Sequence, residues 1–461
     1  MKQTAAMDMT RGPLLGKILI FSLPLMASNF LQLLFNAADV VVVGRFAGHE
    51  CLAAVGSTSS IVYLFTNLLI GLAVGVNVII ARYLGQGNHG EEISRVIHTS
   101  VFIALVGGVL LGGIGSISTR WVLTMIDTPA DVFDLTAIYL QIYFVGSPFV
   151  MIYNYGAAAL RAMGDTRRPL LFLLLSGVVN LGLNLLFVIV FQLHVVGVAI
   201  ATVISQILSS VLVLYCLACA RGEFCFSWKK LRLDWVSLRQ IAYVGIPAGL
   251  QSCLFSLSNV VIQSAINAYG SVIMAAVSAG SNIENFIYTS MNAFHQASQT
   301  FISQNIGAGR YDRISRVIRL CMGCTVILGV VQGIFVVCFA PELIGIYNSD
   351  PAVIEAGTIR LLIVGSVYVI FGIADVLIGS IRGYGVPIAP VIINLLGTCV
   401  FRVIWITCID TSIHGVEWVY LSYPVSWSII LAALAVFWLC LRRRENVFLA
   451  KSRSEHDVKD V

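Results

Sequence analysis

Twelve long apolar stretches, separated by short polar loops, run through the chain between residues 15 and 441. Each is close to or longer than the roughly 20 residues that one helical crossing of a bilayer core of about 30 Å requires. The first six lie at about 15–43, 52–81, 96–118, 135–159, 170–192 and 195–219. The second six lie at about 241–264, 272–303, 317–339, 357–379, 388–409 and 417–441. Hydrocarbon offers no partner to a backbone N–H or C=O, so such stretches must close their hydrogen bonds internally, as helices. The predicted fold class is an all-α polytopic membrane protein with twelve transmembrane helices. Composition points the same way: of 461 residues, 58% are hydrophobic and only 11% charged, against about 25% charged in soluble domains. A soluble enzyme, a disordered chain and a nucleic-acid binder are excluded at the outset.

The few charges are unevenly placed. Numbering the loops alternately puts 24 of the 28 Lys and Arg residues on the side that also carries both termini. Arg45 and Arg120 fall on the other side, and Arg360 and Arg402 fall inside or at the end of spans. The positive-inside rule then makes both termini cytoplasmic, in a multi-pass protein of the cell membrane. The first apolar stretch is too long for the 7–15-residue core of a signal peptide and is expected to be retained as a helix. Two Cys-x-x-Cys pairs, Cys216/Cys219 and Cys321/Cys324, lack the further ligands of a zinc site, and no metal or redox role is read from them.

The chain is written twice. The region from Pro24 to Val96 recurs from Pro247 to Val317, with Gly48 matched by Gly270 and Gly85-Gln86-Gly87 by Gly307-Ala308-Gly309. Ile93-Ser94-Arg95-Val96 returns as Ile314-Ser315-Arg316-Val317, and Val145-Gly146-Ser147 as Val364-Gly365-Ser366. Arg161-x-x-Gly164 and Pro169 match Arg382-x-x-Gly385 and Pro390. Six spans per half give the two copies one orientation, as in transporters that alternate access by rocking one bundle against the other. The expected organisation is a cytoplasmic N-terminus (1–14), a six-helix bundle (15–219), a basic connector (220–240), a second bundle (241–441) and a cytoplasmic tail (442–461). Trp228 and Trp235 in the connector read as interfacial anchors.

No nucleotide site is present in the sequence. The nearest approach to a phosphate-binding loop, Gly12-Pro-Leu-Leu-Gly16-Lys17-Ile18, is one residue short and ends on a residue that cannot ligate magnesium. The paired Gly-x-Gly loops follow helices and read as tight turns. No nucleophile–base or metal-ligand grouping suggests an enzyme, and no cofactor is expected; active transport by this chain would draw on an ion gradient or on a partner.

Three carboxylates fall inside spans: Asp39, Glu284 and Asp375. An intramembrane acid is costly unless paired, neutralised or wet, and is a functional candidate for that reason. Asn180 and Asn184 stand four apart on span five, hence on one helical face, as do Thr202 and Gln206 on span six. Carboxylate, amide and hydroxyl oxygens suit Na⁺ or the holding of a proton on Asp39. Glu284 lies near Asn282, Asn285 and His295 and either binds or lines a water-filled vestibule. Asp375 is free to act or pairs with Arg402. Buried charge is expected to be mostly acidic, with Arg402 the one basic exception.

Asp39 followed by Val-Val-Val-Val-Gly44-Arg45, the paired Gly-x-Gly loops, Leu160-Arg161-Ala-Met-Gly164-Asp165 and the matched Pro24 and Pro247 resemble the MATE (multidrug and toxic compound extrusion) family over roughly 15–441. The resemblance implies two pseudo-symmetric six-helix bundles in a V around a central cavity. It also implies a monomer, without nucleic-acid partners, that exports organic cations, drugs or metabolites from the cytoplasm in exchange for H⁺ or Na⁺. Its partners would be small amphipathic or cationic substrates and the lipid bilayer. The family's cation site maps onto Asp39, Asn180, Asn184 and Thr202, with Tyr139 of span four as a further member, and these are also the positions that would hold Na⁺. Some relatives carry a second aspartate where Asn184 stands. NorM-type members share the span-ten acid at Asp375, but their span-seven glutamate falls at Phe255. Glu284 is placed in its stead, so that Glu284 and Asp375 form a substrate or second proton site. A lipid-linked-oligosaccharide flippase of the wider superfamily is the alternative; it would need intramembrane Arg or Lys.

Overall fold

The computed structural model describes residues 7–46, 49–87, 89–125, 128–220, 224–408 and 415–457. Gly48, Arg221 at the head of the connector, and the outermost residues of both termini lie outside the described residues. Each of the twelve expected spans falls on one helix or on a chain of helical pieces. The first half contains α1 (Leu14–Phe46), α2 (His49–Gln86), α3 (Gly90–Met125), α4 (Ala130–Val145), α5 (Ser147–Ala162), α6 (Arg167–Leu185) and α7 (His194–Ala218). The second half begins with α8 (Trp235–Asn267), α9 (Ser271–Gly307), α10 (Tyr311–Cys338) and the short α11 (Ala340–Gly345). It continues with α12 (Pro351–Arg360), α13 (Tyr368–Tyr384), α14 (Ile388–Asn394), α15 (Phe401–Thr407) and α16 (Glu417–Asp457). Among the described residues eight helical segments are long and apolar enough to span a membrane, and two bent pairs bring the number to ten.

The bends repeat with the sequence. α4 and α5 meet at 45°, and the α12 segment meets α13 at 43°. Both breaks fall on the duplicated Val-Gly-Ser motif, at Gly146 and at Ser366 just after Gly365. Among the described residues three π-helical turns interrupt the α-helical ladder: Leu186–Val190 after α6, Leu361–Gly365 after α12 and Leu395–Val400 between α14 and α15. Such turns widen a helix by one residue per turn and concentrate at functional positions.

The chain forms two compact units, Met1–Cys253 with Gln299–Val317, and Leu254–Ser298 with Ile318–Val461. Their limits fall inside α8, α9 and α10, so compact unit and sequence repeat are different partitions of the chain. Within the first unit, α1 packs on α6, and α5 packs on α2, α3 and α7. Small residues let α2 approach α8 and α9 backbone to backbone, which is how helices associate where burial of apolar surface gives no driving force. A Cβ added at Gly71 would stand 2.3 Å from the Gly249 Cα, and one at Gly75 would stand 2.2 Å from the Ile241 carbonyl oxygen. The duplicated Gly-x-Gly loops are part of the same contact: a Cβ at Gly85 would meet the Gln304 carbonyl oxygen at 1.9 Å, and one at Gly307 the Arg82 carbonyl oxygen at 2.0 Å. The last glycine of each loop, Gly87 (φ 67°) and Gly309 (φ 65°), takes the left-handed conformation that the turn needs.

The segment before α1 belongs to this contact too. Met9 is fully buried, its N–H donates to the Gln304 Oε1 at 2.7 Å, and its carbonyl accepts from Asn305 Nδ2 at 3.2 Å. The connector lies on α3: the Ser227 N–H donates to His98 Nε2 at 3.0 Å, and the Phe226 ring stacks on the His98 ring at 5.3 Å. Trp228 and Trp235 are exposed. Asp234 caps α8, accepting from the Ser237 hydroxyl at 2.7 Å and the Ser237 N–H at 2.8 Å.

Gly75→Ala is expected to lower the thermal unfolding temperature of the purified protein in detergent, at an overpacking cost of about 1–3 kcal/mol. Gly113→Ala, in open space on an exposed face of α3, removes a helix-destabilising glycine and is expected to leave the melt unchanged or raise it. The bonds from the Ser237 side chain and N–H hold the Asp234 carboxyl below its ordinary range. A depressed folded-state value stabilises the protein above the unfolded value, and that contribution disappears as pH falls through the folded value. Asp234→Ala should therefore cost about 1 kcal/mol at neutral pH, with the difference from the parent protein shrinking in melts recorded below about pH 4 and vanishing only below the lowered folded-state value.

Candidate functional site

The first candidate site is assembled where α1 crosses α6. Gly177 of α6 makes the crossing close, since a Cβ there would stand 1.9 Å from the Phe35 ring. One turn beyond Phe35, α1 presents Asp39, and two turns beyond Gly177, α6 presents Asn184. The Asn184 Nδ2 donates to Asp39 Oδ1 at 2.5 Å and to Asn180 Oδ1 at 3.2 Å, so the carboxylate and both amides form one bonded chain. Asn180 and Asn184 are buried and Asp39 is half-buried. The Asn184 Oδ1 is buried without a hydrogen-bond donor. Directly after Asn184 the helix enters its π-helical turn.

Around this chain stands an apolar wall of Val42, Val43, Val188, Val195 and Val198, against which Tyr139 packs. Tyr139 is near enough to Asp39 for the two to interact electrostatically. Thr202 lies on α7 one turn from Val198 and donates its hydroxyl to the Val198 carbonyl at 2.9 Å, which leaves only its oxygen lone pairs for a ligand. Gln206, its partner in the sequence pattern, lies elsewhere, with its Oε1 beside the Gly146 bend. Asp39, Asn180 and Asn184 are thus brought together, Tyr139 borders them, and Thr202 bonds within its own helix.

In the second unit the expected acids have partners. Glu284 of α9 forms a two-pronged ion pair with Arg360 at the end of α12: Arg360 Nε donates to Oε1 at 2.9 Å and Nη2 donates to Oε2 at 3.0 Å. Asp375 of α13 pairs with His295, whose Nδ1 lies 3.0 Å from Asp375 Oδ1 and 2.8 Å from the Asp375 carbonyl oxygen. Arg402 does not reach Asp375; its Nε donates to the Ser426 hydroxyl of α16 at 2.9 Å. The expectation of mainly acidic buried charge does not hold either. Arg360, Arg382 and Arg402 are buried alongside Glu284 and Asp375; contacts across helices cover them, with Arg360 against Glu284 and Tyr420 and Arg402 against Ser426 and Tyr423. Arg360 is the residue most underweighted in sequence. Its signal was a cation directly following Thr-Ile and preceding Leu-Leu-Ile-Val.

A family model, MatE, matches the chain twice, over residues 24–186 and 247–406. The chain belongs to the MatE family. The two matches carry the family pattern once per sequence repeat and together cover most of the twelve expected spans. Among relatives, it is 28% identical over 383 residues to the probable multidrug resistance protein YoeA of Bacillus subtilis, covering 82% of both chains. It is 26% identical to the FAD transporter of Shewanella oneidensis over 94% of this chain and 96% of that one. Its fold matches a crystal structure of MATE in complex with MaD3S with a TM-score of 0.88, at 21% identity, over 97% of this chain and 99% of that one. The protein is a multi-pass membrane transporter of the MatE family and not an enzyme.

The Glu284–Arg360 pair is nearly solvent-free, at 8% and 2% side-chain exposure. Removing one partner of such a pair leaves an uncompensated buried charge and costs about 3–5 kcal/mol, whereas replacing both with apolar residues is often neutral. Glu284→Gln is expected to depress the unfolding temperature sharply, and Glu284→Leu combined with Arg360→Met to recover most of the loss. Equal damage from the single and the double change would show that the pair has no energetic coupling.

Proposed function

We propose that this MatE-family transporter is a secondary active antiporter that exports small amphipathic compounds from the cytoplasm in exchange for a cation, H⁺ or Na⁺, bound at Asp39. The observation that carries this reading is the bonded chain Asp39–Asn184–Asn180 together with the buried Asn184 Oδ1 that has no donor. A carboxylate beside an acceptor oxygen lacks a positive partner. A proton on Asp39, or a Na⁺ among the three side chains, supplies one, and its departure restores the cost of an uncompensated intramembrane charge. That cost is what can tie ion release to a change of conformation. Asn180, Asn184 and Tyr139 would hold the ion with Asp39, and the Thr202 oxygen of α7 would be a further hard ligand. The name of the Bacillus relative supports drug-like cargo; that of the Shewanella relative extends the range of cargo to a flavin nucleotide. The bias of Lys and Arg supports cytoplasmic termini, so that export runs away from the basic loops.

The test is counterflow in proteoliposomes with an ethidium-like cation, under an imposed pH gradient or an imposed Na⁺ gradient. Asp39→Asn is expected to abolish gradient-driven efflux under whichever gradient drives the parent protein, at unchanged amount and melting temperature of the inserted protein. Gradient-driven efflux at the parent rate by Asp39→Asn would overturn the assignment.

A further inference from the structure

The second unit contains more buried positive charge than its acids neutralise, and the excess is gathered in one place. Arg402, at 1% exposure, makes one hydrogen bond, from Nε to Ser426. Its Nη1 and Nη2 are buried and have no acceptor. Its guanidinium carbon lies 4.2 Å from the Tyr423 ring centre and 5.9 Å from the Trp427 ring centre. Arg360 approaches the same Tyr423 ring at 5.4 Å and the Tyr420 ring at 5.3 Å. Glu284 occupies its Nε and Nη2, while Nη1 is buried without an acceptor. The Tyr420 hydroxyl and the Trp427 Nε1 are buried and unpartnered as well. Among the described residues one carboxylate therefore serves two guanidinium groups. Glu417, exposed at the head of α16, forms no ion pair with either arginine.

Buried arginines next to aromatic rings have a bland explanation: cation–π contact supplies part of the missing stabilisation. It does not account for the N–H groups. Rings accept weakly through their faces, and a buried donor left without an acceptor carries its desolvation cost. Every unpartnered side-chain atom in this cluster is a donor or, for the tyrosine, able to act as one. Guanidinium N–H pairs in a planar fork match the two oxygens of a carboxylate or phosphate. The flanking rings of Tyr420, Tyr423 and Trp427 provide flat apolar faces. Each arginine also adjoins a π-helical turn, Arg360 immediately before Leu361–Gly365 and Arg402 just after Leu395–Val400, so its helix is locally adjustable. Tyr423 and Ser281, whose hydroxyl accepts from Arg360 Nη2 at 3.3 Å, are the half-exposed members of the cluster.

We propose that Arg402 and Arg360, with Tyr420, Tyr423 and Trp427, form a binding site for the oxyanion of an aromatic compound, carboxylate or phosphate, in the second unit. The site is separate from the Asp39 ion site. It gives the transporter a class of anionic cargo in addition to the cationic amphiphiles, and binding to it does not depend on what drives transport.

The experiment measures binding to the purified full-length chain in detergent with a matched naphthalene set: naphthyl phosphate, naphthoate, naphthol and naphthylmethylammonium. The parent protein is expected to bind the two anions at least ten-fold more tightly than naphthol, and Arg402→Gln to remove that preference while leaving naphthol affinity unchanged. Because Arg402 is uncompensated without a ligand, Arg402→Met is expected to raise the ligand-free melting temperature and to abolish the rise that naphthyl phosphate gives the parent. A fall in the ligand-free melting temperature, or an anion preference that survives Arg402→Gln, would overturn the proposal. So would stabilisation by phosphatidylglycerol in mixed micelles with no anion preference in the naphthalene set, since the arginines would then hold a lipid headgroup. Asp39→Asn should leave the anion preference intact, so failure of the antiport assignment and failure of this one are read separately.

Discussion

Hydrocarbon cannot solvate a charge, and the placement of each intramembrane ionisable side chain in this protein follows from that. Glu284 is held by two guanidinium hydrogen bonds, Asp375 by His295, and Asp39 by an amide. The same constraint acts on the backbone, which is why the chain is helical through every apolar stretch and why its departures from α-helix remain π-helical or bend at a glycine. Without a hydrophobic force between helices, close approach has to come from shape. Gly71, Gly75, Gly85 and Gly307 supply it in the first unit, where α2 touches α8 and α9 through backbone atoms.

Duplication preserved the shape more than the charge. Glycines and prolines recur at matched positions: both Gly-x-Gly turns, both Val-Gly-Ser bends, and Pro24 with Pro247. Arg95 with Arg316 and Arg161 with Arg382 recur too, but the charged residues of the two candidate sites do not. The spacing between Pro24 and Pro247 sets Ile262 opposite Asp39, and Ile262 is buried in an apolar cluster. The spacing between the Val-Gly-Ser motifs sets Gln141 opposite Arg360, and that between Pro169 and Pro390 sets Leu181 opposite Arg402. A common helical frame can carry different chemistry in each copy because a bend needs only backbone freedom, whereas an ion needs particular side chains.

Much of this was legible in the sequence, for identifiable reasons. Span positions follow from length and hydropathy, and the turn and bend positions from the repeat. Asn180 and Asn184 could be assigned to one face because four residues make about one helical turn, and their bond confirms that spacing. Contacts across helices were not legible. Nothing in the local pattern says that Glu284 meets a residue on α12, that Thr202 turns its hydroxyl to its own helix, or that Gln206 sits at the Gly146 bend. The π-helical turns were equally hidden, since Leu-Phe-Val-Ile-Val and Leu-Leu-Ile-Val-Gly are ordinary apolar segments whose extra residue per turn depends on what packs against them. Arginines near span ends were the hardest to place, because snorkelling to the interface is their usual solution, and only the side chains of α9 and α16 that lie against Arg360 and Arg402 show them to be buried.

The groups left unsatisfied at the two candidate sites differ in sign. In the first, the buried orphan beside the carboxylate is an acceptor, Asn184 Oδ1; in the second, the orphans beside Glu284 are donors on Arg402 and Arg360. Structural polar networks close on themselves, since a half-satisfied buried network is less stable than an apolar one. A network that remains open by one acceptor is matched by a cation, and one that remains open by several guanidinium N–H groups is matched by an oxyanion. The paired acid in the second unit fits this division: Glu284 reduces the local charge from two guanidinium ions to a net of one, the charge that a single carboxylate can neutralise. Selectivity at the two places would then rest on the sign of the missing partner, which apolar contacts alone cannot discriminate.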